Sequence, residues 1–170
     1  MQALAPIKVL YVDGGCRNTT TRVGAYAFVC VEMESVNNIK SPSSSGELLF
    51  GYTQRVEDTT NNIMELQAVL EGLVECNRRA VTPTHIVTDS QYVQKGIVEW
   101  SPSWIMRGWR TSSGGEVRNK ALWKELLKWY KPAVGLIHIR GHQGIFWNEV
   151  CDDYCTKSMN SKCNDVRKIQ

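Results

Sequence analysis

Tyr11-Val12-Asp13-Gly14-Gly15 closes a run in which Ile7, Val9 and Tyr11 alternate with Lys8, Leu10 and Val12. A segment apolar enough on both faces reads as an interior strand, and here it ends in a carboxylate followed by a glycine pair, a turn in which backbone can approach a ligand closely. An isolated Asp-Gly is more often the start of an Asx turn. Asp13 therefore takes its meaning from the rest of the chain.

Downstream, Arg17 to Val23 is a polar loop, and Gly24 to Val31 is rich in strand formers, continuing an antiparallel meander. Asn37 to Gly46, with Ser41-Pro42-Ser43-Ser44-Ser45-Gly46, has the composition of a flexible hairpin tip, and a third strand is expected over about Glu47 to Val56. Asp58-Thr59-Thr60-Asn61-Asn62 offers several N-caps for the clearest helix in the chain. In it Ile63, Leu66, Val69, Leu70, Leu73 and Val74 recur at helical spacing through about Ala80. Glu65 lies in its first turns, at the end nearest the strand tips.

After the break at Thr82-Pro83-Thr84, His85-Ile86-Val87-Thr88-Asp89-Ser90 repeats the opening pattern, a short β-branched run closed by an aspartate. Sites in sheets with parallel strands gather beyond the carboxyl ends of those strands, so the second strand-end acid supports the first. Gln91 to Trp100 reads as a short helix opened by Ser90. Trp100, Trp104 and Trp109 interleave with Arg107 and Arg110. That pattern fits indoles stacked on nucleic acid as well as it fits indoles anchoring helices. Another helix is expected over about Asn119 to Tyr130, then a strand at Gly135 to Ile139 and the loop Arg140-Gly141-His142-Gln143-Gly144. Asn148 opens a last helix bearing Asp152 and Asp153, and the polar end of the chain, 159–170, is expected to fray.

Composition excludes more than it assigns. The chain has 170 residues, 42% apolar and 22% charged, which suits one domain with a sizeable core; a net charge of +3 does not by itself imply a polyanion partner. No run approaches the roughly 18 apolar residues of a membrane span, and Met1-Gln2-Ala3-Leu4 lacks the basic and apolar regions of a secretion signal, so a cytoplasmic protein is expected, a nuclear or organellar one being the alternative. Six scattered cysteines in a chain of this size read as free thiols. Cys151 and Cys155 stand four apart without a second Cys or His pair, so zinc is not expected.

Asp13 and Asp89 from strand ends, Glu65 from a helix start and one acid of the final helix make four carboxylates that the chain order can bring together. Such a cluster repels itself unless cations lie between the acids, and hard oxygen ligands favour Mg²⁺ or Mn²⁺. Two ions about 4 Å apart could clamp the attacking and leaving oxygens of a phosphodiester.

The motifs Tyr-Val-Asp-Gly-Gly (11–15), Thr-Thr-Asn-Asn-Ile-Met-Glu-Leu (59–66), Thr-Asp-Ser-Gln-Tyr-Val (88–93) and Arg-Gly-His with Asn148 and Asp152 occur in order over about residues 7–158. The chain resembles a type 1 ribonuclease H. The resemblance implies an α/β fold, five mixed strands flanked by helices in the order βββαβαβα, in the single domain over 1–170 that length and composition lead one to expect; a separate hybrid-binding domain before residue 7, found in many eukaryotic members, is not expected. It implies an endonuclease that cuts the RNA strand of an RNA/DNA hybrid by a two-metal-ion mechanism, leaves 3′-hydroxyl and 5′-phosphate ends, uses Mg²⁺ with Mn²⁺ as substitute, and acts as a monomer without membrane or obligate protein partner. The catalytic acids then fall on Asp13, Glu65, Asp89 and Asp152, with Asp13 shared by both ions, Asp153 left at the surface, and His142 assisting the water nucleophile or product release.

By the same resemblance, Asn61, Asn62 and Gln91 contact the minor groove of the hybrid, where 2′-hydroxyls distinguish RNA from DNA. Thr60 contributes to a DNA-phosphate pocket, Trp100 and Trp104 to a channel for the deoxyribose strand, and Asn148 to support of the RNA backbone. Contacts to phosphate and sugar carry little base information, so cleavage largely independent of sequence is expected. The loop 17–22 departs from the glycine- and proline-rich turn of bacterial relatives, leaving Asn18 and Thr19 as alternatives for one minor-groove contact. The protrusion Ile105-Met106-Arg107-Gly108-Trp109-Arg110 lacks lysines, which should weaken the electrostatic part of binding. A non-catalytic hybrid-binding module, a reverse-transcriptase portion and a DNA-cutting relative are the competing readings.

Overall fold

A computed structural model describes residues 5–170, so the reading of Met1 to Leu4 lies outside the described residues. The chain forms β1 (Ile7–Cys16), β2 (Gly24–Met33), β3 (Glu47–Val56), α1 (Asn61–Arg78), β4 (His85–Thr88), α2 (Gln91–Lys95), α3 (Ser101–Met106), α4 (Lys120–Trp129), β5 (Gly135–His138), α5 (Phe146–Asn160) and β6 (Arg167–Lys168). The sheet order is β5-β4-β1-β2-β3-β6; β1, β4 and β5 run parallel, and β2, β3 and β6 pair antiparallel. Parallel pairing requires crossovers, and α1 and the α2–α4 region supply them.

β1 is the pivot because both of its faces are buried. Leu10 and Val12 point into a core under α1 and α4 with Leu66, Val69, Trp123 and Leu126, while Val9 and Tyr11 point into a second core with Ile145, Cys151 and Cys155 of the α5 region. Strand alternation assigns successive residues to opposite cores, which explains why no polar residue of this run but the terminal Asp13 is buried.

Four expectations change. β1 does not stop at Asp13 but pairs with β2 through Cys16, so Gly14 and Gly15 lie in the strand rather than in a turn. Gly14 is required by packing: a Cβ there would sit 2.3 Å from the backbone carbon of Met64, whereas one at Gly15 would meet nothing nearer than 3.9 Å. The Gln91–Trp100 helix is α2 followed by a π-helical turn, Gly96–Trp100, that leads into α3. The break coincides with Gly96, where a Cβ would overlap the Trp123 ring at 2.0 Å.

The sheet has six strands instead of five, because the end of the chain does not fray. Thr53 and Tyr52 pair with Arg167 and Lys168, the Ile169 N–H donates to Gly51 O at 2.9 Å, and Ile169 is 2% exposed in the α5-side core. A two-residue strand with both side chains in solvent carries no readable periodicity. Residues 37–46 are likewise folded, with a 3-10 turn at Val36–Asn38 and Ile39 buried in the same core. One apolar residue in a serine-rich stretch anchors what its composition presents as loose.

Candidate active site

Three carboxylates meet at the carboxyl ends of the parallel strands. Asp13 comes from β1, Asp89 follows the last residue of β4, and Glu65 stands in the second turn of α1, which Thr60 caps by accepting the Ile63 N–H at 3.1 Å. One ligand oxygen from each of Asp13, Glu65 and Asp89 lies within 4.8 Å of the others. Asp13 is 5% and Glu65 4% exposed; Asp89 is half-buried. The close approach of α1 at Gly14 creates this geometry: the Gly14 N–H donates to Glu65 Oε1 at 2.9 Å.

The electrostatics are those of a cluster that could hold cations. Burial, reinforced by the Glu65 and Asp89 charges, holds the Asp13 carboxyl well above the usual carboxylate range. Burial and the Asp89 charge push Glu65 up to about 8, against the opposing hydrogen bond from Gly14. Glu65 Oε2 is buried without a hydrogen-bond partner. An orphaned carboxylate oxygen beside two further acids is costly unless a positive charge completes it. The donors are all oxygens, the set that suits Mg²⁺ or Mn²⁺ rather than a soft metal.

Asp152 stands beside this group, not inside it. Its charge contributes to the raised Asp13 carboxyl, and its oxygen falls in a second set within 4.8 Å, with His142 and Glu149. His142 is exposed, in the left-handed backbone region at φ 59, in the loop between β5 and α5. That loop passes Asp89 closely, since a Cβ at Gly141 would lie 3.0 Å from Asp89 Oδ2. Glu149 escaped the sequence reading. It stands three residues before Asp152 on α5, which places both on one helix face, and it accepts from Gly144 N at 3.4 Å, tying the His142 loop to the helix. Asp153 is exposed and pairs with Lys157 at 2.9 Å.

Cysteine thiols seat α5 on the strand that carries Asp13. Cys151 Sγ donates to Tyr11 O at 3.6 Å and Cys155 Sγ to Asp13 O at 3.7 Å. Both are free and buried, which accounts for their four-residue spacing without a metal.

The residues expected to meet substrate fall in three places. Asn61 and Asn62 begin α1 and are exposed; Asn61 Oδ1 accepts the Cys16 N–H at 3.2 Å. Together with Thr60, Asn61 lines an opening of about 210 Å³ that Arg17, Asn18 and Arg22 also border. Gln91 is exposed at the start of α2, behind the Ser90 cap. Trp100 and Trp104 are neighbours, ring centroids 5.9 Å apart, in a ladder with Tyr92, Trp109 and Trp123. Trp123 is fully buried while Trp100 is 36% exposed, so one end anchors the helices and the other faces solvent. Asn148, by contrast, the third residue of α5, is 3% exposed.

Comparison with known proteins agrees with this fold. The RNase H family profile matches residues 6–160. The ribonuclease H of Cupriavidus necator is 37% identical over 153 residues, covering 89% of this chain and 94% of that protein. The ribonuclease H of a Cyanothece species is 34% identical over 148 residues, covering 87% and 86%. Among solved structures, LC9-RNase H1, described as a type 1 RNase H with the type 2 active-site motif, superposes with a TM-score of 0.76 at 21% identity, covering 99% of this chain and 80% of that one. A foamy viral protease-reverse transcriptase in complex with RNA/DNA hybrid superposes with a TM-score of 0.74 at 18% identity, covering 91% of this chain and 20% of that one.

Proposed function

The chain belongs to the ribonuclease H family and is a metal-dependent endonuclease acting on the RNA strand of RNA/DNA hybrids, and from that premise we propose which of its residues do the work. Asp13, Glu65 and Asp89 hold the divalent ions, with Asp152 completing the set from α5. The observation that carries this reading is the mutual approach of three carboxylates within 4.8 Å, two of them buried, at the ends of parallel strands.

Asp13, Glu65, Asp89 and Asp152 would hold Mg²⁺, or Mn²⁺ in its place, which when bound would supply the positive charge that phosphodiester hydrolysis requires. The chain's own groups orient and exclude. Glu65, held by the Gly14 N–H, presents its unpartnered Oε2 to the site. His142, exposed on its loop, can take or deliver a proton at the rim. Asn61, Asn62 and Gln91 read the minor groove, Thr60 receives a phosphate of the DNA strand, and Trp100 and Trp104 give the deoxyribose strand an apolar wall. Asn148, buried in the first turn of α5, supports the RNA backbone. Products carry 3′-hydroxyl and 5′-phosphate ends, and cleavage shows little sequence preference.

All four acids come from one chain, so a monomer suffices. Six free thiols suit a reducing compartment such as the cytoplasm, and no helix among the described residues is long and apolar enough to cross a membrane. Incubation of one labelled sequence as RNA/DNA hybrid, duplex DNA and duplex RNA, with and without Mg²⁺, tests the reading. Cutting confined to the RNA strand of the hybrid with Mg²⁺ is expected; equal cutting of duplex DNA would overturn it.

A further inference from the structure

Residues 37–46 join the two elements that carry Asp13 and Asp152. On the β1 side, the Tyr11 hydroxyl, two residues before Asp13, donates to Ile39 O at 2.6 Å inside the core. On the α5 side, Ser41 O accepts the Phe146 N–H at 3.0 Å, and Ser45 O accepts the Trp147 Nε1–H at 2.8 Å. Phe146 is the first residue of α5, and the residue that caps it, Ile145, has no side-chain acceptor to offer. The first N–H groups of a helix need partners from outside the helix. Here a segment some hundred residues earlier in the chain supplies one, and grips the next residue's indole as well.

We propose that residues 37–46 are a positioning clamp for α5, acting chiefly through Trp147, that holds Asp152 and the His142 loop in register with Asp13. The proposal rests on the reading of Asp152 as a metal ligand. Asp152 lies within two turns of the clamped end, and the Cys151 and Cys155 contacts to Tyr11 O and Asp13 O close the triangle between strand, clamp and helix. Metal sites need their ligands held within about 0.5 Å, so a helix whose first turn loosens gives up affinity before it gives up its fold. Trp147 touches neither substrate nor ion; it is a positioning residue.

Trp147→Phe keeps the ring and deletes the donor. Three readouts are taken on the whole chain: Mn²⁺ affinity of the substrate-free protein by calorimetry, amide exchange at Phe146, and kcat and KM on a hybrid at limiting Mg²⁺. Mn²⁺ binding about tenfold weaker, the scale for losing an orienting contact behind a metal ligand, is expected. Faster exchange at Phe146 and a lowered kcat with unchanged KM should accompany it. Arg79→Ala, which removes the contacts to Glu75 and Tyr52 far from α5, controls for stability and should leave Mn²⁺ affinity unchanged. Wild-type Mn²⁺ affinity and kcat in Trp147→Phe, whatever its melting temperature, would overturn the clamp, as would a change confined to KM. Asp152→Asn is measured in parallel: if it binds Mn²⁺ and cleaves as wild type does, the assignment of Asp152 fails; if it is impaired while Trp147→Phe is not, the clamp alone fails.

Discussion

Glu65 Oε1 accepts the Gly14 N–H at 2.9 Å, while Glu65 Oε2, on the same carboxylate, is buried with no partner. One oxygen holds helix α1 against strand β1, and the other is the one the proposed site offers to a cation. The contact exists because Gly14 has no side chain: a Cβ there would lie 2.3 Å from the Met64 carbon and 2.6 Å from the Glu65 nitrogen.

Gly14→Ala must therefore push α1 off β1. Overpacking against backbone cannot be relieved by rotating a side chain, so a loss of about 3 kcal/mol is expected. Gly15→Ala, with nothing nearer than 3.9 Å, should stay within about 1 kcal/mol of wild type, since the added methyl enters ordinary contact distance. Urea unfolding of the two variants checks the contrast; equal stabilities would contradict it.

The crowded carboxylates should also cost stability. Glu65 is pushed up to about 8 from an ordinary value of 4.5, so the folded chain holds this proton more tightly than the unfolded chain. Its contribution is fully present below about pH 4.5 and is lost as pH rises toward about 8. In EDTA, wild-type melting temperature should fall across that window more steeply than that of Glu65→Gln. Near the top of the window the variant should melt several degrees higher, at about 2–4 °C per kcal/mol for a chain of this size. Added Mg²⁺ should stabilise wild type more than Glu65→Gln. A variant that melts lower than wild type in EDTA would show that the charge is not a burden.

Trp100 is the solvent-facing end of the indole ladder. Trp100→Ala should raise KM for the hybrid about tenfold with little change in kcat, a stacking contact being worth about 1–3 kcal/mol. Steady-state kinetics at saturating Mg²⁺ separate the two; a kcat effect alone would place Trp100 outside the binding surface.

Removal of residues 166–170 deletes β6 and the buried Ile169. Burying one such side chain is worth about 2 kcal/mol, so melting about 6 °C lower is expected. A truncated chain that melts with wild type would mean that the sixth strand is ornamental.

What could be read in the sequence divides along physical lines. Strands β1 to β3 and helix α1 announce themselves because each carries enough residues for a period to show; Asp13 stands near the end of β1, Glu65 in the second turn of α1, and Asp89 just after the shorter β4. The two residues of β6 carry no period, and the order in residues 37–46 depends on Ile39 meeting a core that the chain completes only at α5. Glu149 stayed hidden because, although it shares a helix face with Asp152, Gly144 N and the His142 ring become its neighbours only once the loop folds back. Gly14 looked like room for a ligand; it is room for a helix, a distinction that composition cannot make.

The most direct test of the four-acid site is single-turnover cleavage of a labelled RNA/DNA hybrid by Asp13→Asn at saturating Mg²⁺, with folding verified by circular dichroism. Asp13 is the acid that feels the charges of Glu65, Asp89 and Asp152, and its loss from the proposed site should cost several kcal/mol of transition-state stabilisation, a rate at least about a thousandfold below wild type. A folded Asp13→Asn that cuts the hybrid at the wild-type rate would contradict the assignment of Asp13 to the metal site.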